Sequence, residues 1–454
     1  MIISDVLPLM PLLSFGDYAD LYFEDTSFST IRWDGGRVEE INAGRDAGVG
    51  LRYLQGESVF FGHQNSLRNP DAAVLSKKLT PDLKKNKSVL IIQKNDTYIH
   101  PATIDSSPVS LGDKIQVLQK LYRTIFNAGP EISQVVFVFA EKEKKNSILN
   151  SYGQVVHEQK NYCVLMISVI AFKKGILQTA TEVMGGLGGF ELLDESYISS
   201  QGLSAARRAV EKLSAPHAPV GEMPVVISAE AGGTMIHEAV GHSLEADAVQ
   251  KGISPVYCGK LGKQVASPLI TVVDDPTIPD RRGSYRYDDE GNPAQKTVLI
   301  EKGFLKTFLY DVHSARKENI QSNGHGRRQS YRSRPIPRMS NTYIAPGTDD
   351  PAEIIGSLSE GLFVKKMGGG QVNTATGDFI FEVEEGYRIE QGRIKGLVRG
   401  ANLLGNGPAV LNNIDRLGND LGWGLGTCGK DGQGVPVGDA QPTLRIKKLL
   451  VGGV

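Results

Sequence analysis

The stretch "TMIHEAVGHSLEAD", residues 234–247, constrains the folding of this chain more than any other. Glu238 directly follows His237, as in zinc proteases, but the second histidine, His242, comes five residues after the first. An α-helix turns about 100° per residue, so residues four apart share a face and residues five apart lie about 140° apart. Two imidazoles at this spacing can reach one metal ion only where the backbone departs from a regular helix.

Two departures from a regular helix would bring these histidines together. A π-bulge adds one residue to a turn and is common at functional sites. Gly241, next to His242, is the residue most able to adopt the backbone angles that such a bulge requires. Alternatively, the helix ends near Gly241 and His242 lies on the outgoing turn. The residues of the motif leave open whether the histidines bind a metal or have an ordinary structural role.

A catalytic zinc site typically has three protein ligands and one open position. Four residues could supply the third ligand, and chemistry alone does not choose among them: Glu245, Asp247, Cys258 and Cys428. Glu245 lies three residues beyond His242 and could equally be a solvated helix residue. Cys258 could simply be buried, as free cysteines often are. Cys428 lies among glycines that allow tight loop geometry, and a thiolate is a strong zinc ligand.

The composition excludes several classes of protein. The chain has 454 residues, of which 40% are hydrophobic and 22% charged, as in globular proteins of more than one domain. Its formal net charge of -1 provides no field that would attract nucleic acid or an anionic membrane. No apolar run approaches the ~20 residues of a membrane span, and the apolar N-terminus carries Asp5 with no preceding Lys or Arg, unlike a signal peptide. Three widely spaced cysteines predict reduced thiols in a cytoplasmic protein.

Alternation of apolar and polar residues predicts strands along most of the chain. The alternating segments are broken by glycine turns and include residues 18–63, 133–175 and 378–405. Apolar residues at helical spacing predict two helices, over 111–129 and 198–216. We therefore predict an α+β fold in which mostly antiparallel sheets are combined with a few helices.

A Pro-rich segment, "SAPHAPVGEMP", follows the second predicted helix and is typical of a linker. It divides the chain into an α/β N-terminal domain, residues 1–217, and a β-rich C-terminal domain, residues 218–454. The motif helix lies in the second domain, after a short strand and a Gly-Gly turn. A hairpin that turns at Lys302–Gly303 is also expected in this domain.

Beyond the motif, the sequence resembles the TldD/PmbA family of peptidases, historically described as modulators of DNA gyrase. The resemblance covers nearly the whole chain and is strongest after residue 222. It rests on ordered matches over the following stretches: "IHEAVGHSLEAD", "TVVDDPTIPDRRGSYRYDDEG", "NGHGRRQSY", "PRMSNTYIAPG", "GGGQVNTATGDFIFEVEEGY", "VRGANLLGNG" and "CGKDGQGVPVGDAQPTLRI". The H-E-x-x-x-H pattern is that of the TldD branch, whereas the TldE or PmbA branch is similar in fold but lacks those ligands.

The resemblance implies a role for four residues. The expected metal ligands, which would bind zinc, are His237, His242 and Cys428. The expected catalytic carboxylate is Glu238. Cys258 matches no ligand position of the family, and no catalytic role is expected for His325. The family also implies a cytoplasmic protein that forms a homodimer, or a heterodimer with a TldE/PmbA-like paralogue. The N-terminal domain would then serve substrate access and dimerisation, with no nucleic acid or membrane as partner.

The resemblance also implies a zinc-dependent peptidase that hydrolyses unfolded or extended peptides, and an open sheet edge could bind such a peptide as an added strand. Zinc would polarise the peptide carbonyl, and Glu238 would accept the proton of the attacking water. Donors to the oxyanion could come from a group of basic and phenolic side chains: Arg281, Arg282, Arg327, Arg328 and Tyr331. Ion pairing of these side chains with the acidic runs 274–275 and 288–290 is the favoured alternative.

Two other functions remain compatible with parts of the sequence. A non-catalytic peptide-binding regulator of gyrase or of an antitoxin would not need the four site residues, so their presence argues against it. A metalloamidase that acts on a small or modified peptide would use the same residues as the peptidase.

Overall fold

The computed structural model describes residues 7–85, 91–102, 109–373 and 375–453. The predicted absence of a signal peptide depends on Asp5, which lies outside the described residues. Within the described ranges, no helix has the length and apolar character needed to cross a membrane.

The first sheet has seven strands, and all of them precede residue 188 in the chain. They are β1 (Tyr18–Asp34), β2 (Arg37–Gln55), β3 (Ser58–Gln64), β4 (Lys94–Ile99), β5 (Ile132–Asn150), β6 (Gln154–Lys173) and β7 (Ile176–Leu187). Their order is β3-β2-β1-β5-β6-β4, and β7 also pairs with β6. The pair β4–β6 is parallel, whereas β1 is antiparallel to β2 and β5, and β5 is antiparallel to β6. The strands predicted over 18–63 and 133–175 are therefore confirmed.

Three helices accompany the first sheet: α1 (Asn69–Leu79), α2 (Leu111–Phe126) and α3 (Glu195–Lys212). The side chains of Ser110 and Asp194 accept backbone N–H groups at the starts of α2 and α3, which satisfies donors that a helix leaves unpaired. Apolar residues of α2 and α3 pack with β5 and β6 in one buried core. Both predicted helices are confirmed, although α3 begins three residues earlier than expected, at Glu195, and ends at Lys212.

The chain from Gly221 onwards contributes the strands of three further sheets. These strands are β8 (Gly221–Ile227), β9 (Val272–Asp274), β10 (Thr297–Glu301), β11 (Phe304–Leu305), β12 (Gly326–Arg327), β13 (Ile336–Pro337), β14 (Asn341–Ile344), β15 (Glu360–Val372), β16 (Asp378–Glu390), β17 (Arg393–Val398), β18 (Ala401–Asn406), β19 (Ile414–Leu417), β20 (Gly422–Lys430), β21 (Gln433–Gln441) and β22 (Leu444–Gly453). One sheet has the order β15-β8-β22-β18-β16-β17, and the pairing of β15 with β16 closes five of its strands into a ring. Another has the order β11-β10-β9-β14-β21-β20, and β12 pairs with β13.

The helices of this part of the chain are short: α4 (Thr234–Ile236), α5 (Ala246–Gln250), α6 (Val312–Lys317), α7 (Pro351–Gly356) and α8 (Gly407–Asn413). Further short turns are 3-10 helices over Leu7–Leu13, Phe190–Leu193, Ala229–Ala231, His242–Leu244 and Pro255–Tyr257, and a π-helix over His237–Gly241. The hairpin predicted at Lys302–Gly303 is confirmed, with positive φ at both residues. The predicted α+β fold, with mostly antiparallel sheets and a few helices, is also confirmed.

A buried network of charges joins the first sheet to the later part of the chain. Arg52 of β2 lies 2.7 Å from Asp20 and 2.5 Å from Glu290, and Arg328 lies 2.8 Å from Asp20. All four side chains are at most 1% exposed. Removing one partner from such a buried group typically costs about 3–5 kcal/mol, because it leaves a charge uncompensated. This network fixes how the two parts pack, and the division into two domains near residue 217 stays a prediction.

Candidate metal centre

The motif segment contains the predicted distortion of the helix. The chain passes from one α-helical turn, α4, into a π-helix over His237–Gly241 and then into a 3-10 turn over His242–Leu244. Because the π-helix adds one residue to the turn, the ring centroids of the two histidines lie only 5.2 Å apart, with the rings at 87° to each other. The predicted π-bulge is confirmed.

Gly241 is required for space and not for its backbone angles. Its φ of -58° and ψ of -50° are helical values that any residue can adopt. A Cβ atom at this position would lie less than 3.0 Å from Sδ of Met339, closer than real Cβ atoms approach a neighbour. Met339 is fully buried. The expectation that glycine supplies special angles here is wrong, because close packing against Met339 excludes a side chain at this position.

His237, His242 and Cys428 come together at the end of the π-helix. One potential ligand atom from each lies within 4.8 Å of the others, and Sγ of Cys428 is 3.5 Å from Nε2 of His242. Tetrahedral zinc with Zn–S near 2.3 Å and Zn–N near 2.0–2.1 Å would separate a sulfur from a nitrogen ligand by about 3.6 Å. The observed spacing of sulfur and nitrogen therefore fits a zinc ion.

The chemistry of the donors also fits a zinc ion. Two imidazole nitrogens and a thiolate are ligands that zinc prefers. Nδ1 of His237 is buried and has no hydrogen-bond partner among the described residues. Buried polar atoms are nearly always partnered, and an unpartnered nitrogen on this ring is consistent with a metal ion held by the cluster.

The charges within the cluster are strongly coupled. Burial opposes ionisation of the Cys428 thiol, but the hydrogen bonds and charges of His237 and His242 outweigh burial and lower its pKa to about 5. Burial favours neutral imidazoles, but Glu245 and Cys428 outweigh it and raise the pKa of His242 well above its usual value. The hydrogen bond to Cys428 likewise raises the pKa of His237. The thiolate of Cys428 and the protonated forms of the two imidazoles thus stabilise each other, and a divalent cation held by such a cluster would displace protons from it.

Glu245 holds His242 in position from the far side of the ring. Its Oε2 lies 3.1 Å from Nδ1 of His242 and 3.1 Å from Nζ of Lys430. Burial alone would raise the pKa of Glu245, but the charge of Lys430 outweighs it, and the pKa falls to about 2. An ionised carboxylate at Nδ1 keeps the proton on that nitrogen, so that Nε2 faces the cluster.

Two basic residues that the sequence analysis did not single out support this arrangement. The buried guanidinium of Arg338 donates to the carbonyl oxygen of Cys428, and its Nε lies 4.0 Å from Oε1 of Glu245. Lys430 could have been found from the sequence, because it lies two residues beyond Cys428 and hence on the same face of a strand. The position of Arg338 in the sequence does not indicate that it contacts this site.

The structure separates the four candidates for the third ligand, all of which lie within the described residues. Cys428 is the one that joins both histidines. Glu245 contacts the other side of the His242 ring, and Asp247 lies 2.5 Å from Nζ of Lys430. Cys258 is exposed, contrary to the expectation that a free cysteine without a site role is buried.

Glu238 is the partly exposed carboxylate of the group. Its Oε2 lies 4.0 Å from Nε2 of His242, the nitrogen that faces Cys428, and its side chain is 31% exposed. Glu238 therefore borders the cluster and also contacts solvent. A carboxylate in this position can exchange protons with a water molecule or a substrate group near the cluster.

The five side chains considered as oxyanion donors are held by other parts of the protein. Their contacts are with carbonyl oxygens, carboxylates or an aromatic ring: Arg327 with Met339 and Pro436, Arg328 with Asp20, Tyr331 with Asp46, Arg282 with Gly426, and Arg281 with Trp423. Within the described residues, none of these side chains forms an ion pair with residues 274–275 or 288–290, so the favoured alternative is wrong. Arg328 instead reaches Asp289 through its backbone N–H, which donates to the carboxylate, and through its guanidinium, which donates to the carbonyl oxygen. His325 lies 3.0 Å from Asp274 and both are fully buried, so this pair supports the fold.

Comparison with known proteins covers nearly the whole chain. Residues 19–76, 104–213 and 220–453 match the family profiles described as PmbA/TldA metallopeptidase domain 1, central domain and C-terminal domain. The "Metalloprotease TldD homolog" of Haemophilus influenzae is 35% identical over 449 residues, which cover 96% of this chain and 93% of that protein. A "Metalloprotease" of Methanothermobacter thermautotrophicus is 34% identical and covers 98% and 97% of the two chains. The "Zinc metalloprotease TldD homolog" of Saccharolobus solfataricus is 29% identical, with 75% and 76% covered.

Solved structures share the fold over almost the full length. A Thermotoga maritima protein described as a modulator of a DNA gyrase superposes with a TM-score of 0.79 at 22% identity, covering 96% of each chain. TldE from Thermococcus kodakarensis superposes with a TM-score of 0.73 at 17% identity, covering 96% of this chain and 97% of that one. At these identities the superpositions show a common fold and nothing further. The family profiles and the more similar relatives, taken with the motif, show that the chain belongs to the PmbA/TldD family of metallopeptidases.

Proposed function

We propose that this metallopeptidase is a zinc enzyme that hydrolyses unfolded or extended peptides. The observation that carries the proposal is the meeting of His237, His242 and Cys428 beside the partly exposed Glu238. His237, His242 and Cys428 would hold the metal and leave a fourth position open, as in catalytic zinc sites. Glu238 would be the proton-transfer residue.

Zinc bound by these three residues supplies a Lewis acid that polarises a peptide carbonyl and makes water more acidic. Glu238 accepts a proton from the attacking water and delivers it to the leaving amine, because it borders the cluster and contacts solvent. Glu245, together with Lys430, keeps the His242 ring oriented during this exchange. The burial of the cluster limits access of other water molecules.

The strand that carries Cys428 supports extended peptides as substrates. β20 is at the edge of its sheet, and in the described part of the chain it pairs on one side only, with β21. The two-residue turn Asp431–Gly432 has positive φ at both positions and closes the hairpin at Lys430–Gln433. Alternation from this closing pair directs the backbone groups of Gly429 and Thr427 away from β21. A peptide in extended conformation can pair with this edge through its backbone, whatever its side chains.

We extend the proposal to assembly and location. The TldE structure has the same fold, which supports a heterodimer with such a paralogue as well as a homodimer. The residues before 217 would then serve dimerisation and substrate access, and the protein would act in the cytoplasm, where its three cysteines stay reduced.

The test is digestion of an unfolded protein, such as reduced and alkylated casein, by the zinc-loaded protein. We expect cleavage that a chelator abolishes and that added zinc restores. Glu238→Gln should lower the rate by a factor of about 10²–10⁴ while the zinc content stays unchanged. Glu222→Gln, at a side chain that is 56% exposed, is the matched control and should retain full activity.

Two outcomes would contradict the proposal at different points. Retained turnover in Glu238→Gln would remove Glu238 from its role. Binding of unfolded peptides without cleavage by the zinc-loaded wild type would favour the non-catalytic regulator instead.

A further inference from the structure

A small crevice lies between the first sheet and the β20–β21 hairpin. Lys142, Lys144 and Lys160 line one side, and Arg327 and residues 434–436 line the other. The lysines share one face of the first sheet because Lys142 and Lys144 are two residues apart on β5, and Lys160 lies opposite Lys144 on β6. The crevice therefore presents several positive charges to the hairpin that carries Cys428.

The crevice adjoins the candidate metal centre. Val435, which lines it, pairs directly with Cys428 across the hairpin. Arg282 does not line the crevice, but its guanidinium lies 5.8 Å from the ring centroid of Tyr162, which does, and its Nε donates to the carbonyl oxygen of Gly426 on β20 at 2.9 Å. A group bound in the crevice would therefore lie beside the strand with the open edge.

Three cations at the crevice have no ion-pair partner. Within the described ranges, no carboxylate oxygen lies within 4.0 Å of the charged nitrogens of Lys142, Arg282 or Arg327. By contrast, Lys144 and Lys160 pair with carboxylates of the first sheet at 3.5 and 2.9 Å. Burial, aided by the charges of Lys144 and Arg282, lowers the pKa of Lys142 to about 8. Partly buried cations that lack a counter-charge are uncommon in proteins.

Two acidic residues also line the crevice, and backbone N–H groups of the protein donate hydrogen bonds to both carboxylates. The Asp288 carboxylate accepts the backbone N–H groups of Glu290 and Gly326, and the Asp289 carboxylate accepts that of Arg328. Arg282 and Arg327 donate hydrogen bonds to neutral carbonyl oxygens, so their positive charges and that of Lys142 are left without a counter-charge and can attract an anion that comes from outside.

We propose that this crevice is an anion subsite of the peptidase and binds a carboxylate of the peptide substrate, either its C-terminal group or an acidic side chain. The proposal rests on the proposed function. The crevice has a volume of about 40 Å³, and about 10–15 Å³ of such volume holds one water, so it admits a group the size of a carboxylate. A peptide paired with β20 alternates its side chains between the two faces of the sheet, which brings some of them to the face that carries the crevice.

The test compares three peptides of one sequence with the zinc-loaded full chain. The first ends in a free carboxylate, the second in a carboxamide, and the third has the carboxamide and an internal Glu in place of Gln. We expect the kcat/KM of the wild type to be about tenfold to a hundredfold higher for a peptide that bears the carboxylate than for the second peptide, which lacks it. A hydrogen bond to a charged group has about this strength. Lys142→Gln should lose this preference without losing turnover of the second peptide.

Matched variants separate charge from structure. Lys142→Arg keeps the charge and should keep the preference. Lys145→Gln removes a lysine on the opposite face of the same strand, 52% exposed, and should also keep it. If the first peptide is preferred, the ligand is the terminal carboxylate. If the third peptide is preferred, the ligand is the side chain of the internal Glu.

The outcomes distinguish this proposal from the proposed function. Equal hydrolysis of all three peptides by the wild type would overturn the subsite and leave the peptidase intact. If none of the peptides is hydrolysed, the peptidase proposal fails. The subsite is then tested by measuring the binding of the labelled peptides by fluorescence anisotropy. Tighter binding of a carboxylate-bearing peptide that Lys142→Gln abolishes would support the subsite, and equal binding of all three would overturn it.

Discussion

Replacing Gly241 by alanine tests whether packing or backbone conformation fixes the π-helical turn. Because Gly241 has helical backbone angles, intrinsic propensity alone predicts that alanine stabilises the protein by about 0.5–1 kcal/mol. The new methyl group, however, would lie within 3.0 Å of Sδ of the fully buried Met339. Overpacking of this kind costs about 1–3 kcal/mol. We therefore expect Gly241→Ala to destabilise the protein by a net ~1–2 kcal/mol.

Thermal unfolding of the zinc-loaded protein measures this effect. For a cooperative unit of about 150–250 residues, a net loss of ~1–2 kcal/mol lowers Tm by roughly 2–8 °C. Zinc affinity should also fall, because the methyl group displaces the turn that precedes His242. Gly356→Ala is the matched control, since this glycine ends α7 and a Cβ atom there would meet nothing within 4 Å. Its Tm should stay unchanged or rise.

A double variant locates the cause of the loss. Met339→Ala alone should be destabilising because it leaves a cavity. In the double variant the methyl group at position 241 fills part of that cavity, so the loss of stability should be less than the sum of the two single losses. A Gly241→Ala protein as stable as the wild type, with unchanged zinc affinity, would refute the argument that close packing excludes a side chain here.

Further predictions concern the metal centre. Glu245→Gln should weaken zinc binding by a factor of about 10–100, measured by competition with a chromogenic chelator, because it removes the negative charge that holds Nδ1 of His242; unchanged affinity would contradict this role. Cys428→Ser should weaken binding by more than Glu245→Gln, and Cys258→Ser should leave it unchanged; equal effects of the two cysteine variants would reject Cys428 as the third ligand. Zinc affinity should rise as the pH increases through and above about 6.5, the ordinary pKa of histidine, by up to tenfold per pH unit for each proton displaced, because the pKa of His242 is raised well above its ordinary value and its imidazole must lose a proton to bind the metal. A flat profile would show that no proton leaves on binding.

The support around His242 explains why a thiolate from a distant strand can complete this site. Lys430 and Cys428 lie two residues apart on β20, so the same strand delivers a possible metal ligand and the cation that keeps Glu245 ionised. The position of β20 at the edge of its sheet places this pair beside an unpaired backbone. The candidate ligand, its support and the proposed peptide-binding edge are therefore parts of one structural element.

Local features of the structure could be predicted from the sequence because they depend on residues close together in the chain. Alternating side chains predicted β1, β5 and β6, and the five-residue spacing of His237 and His242 required a wider turn of the helix. Steric rules and hydrogen-bond periods act over a few residues and leave their mark in the sequence.

Other features were decided only by the tertiary structure. Residue chemistry alone left Glu245, Asp247, Cys258 and Cys428 open as the third ligand, whereas the sheet order brings Cys428 to Nε2 of His242 across 186 residues. The reason for glycine at position 241 depends on a neighbour 98 positions further along the chain, Met339. Spacing within the sequence carries no information about such contacts, because they arise when separate sheets and helices pack into a shared core.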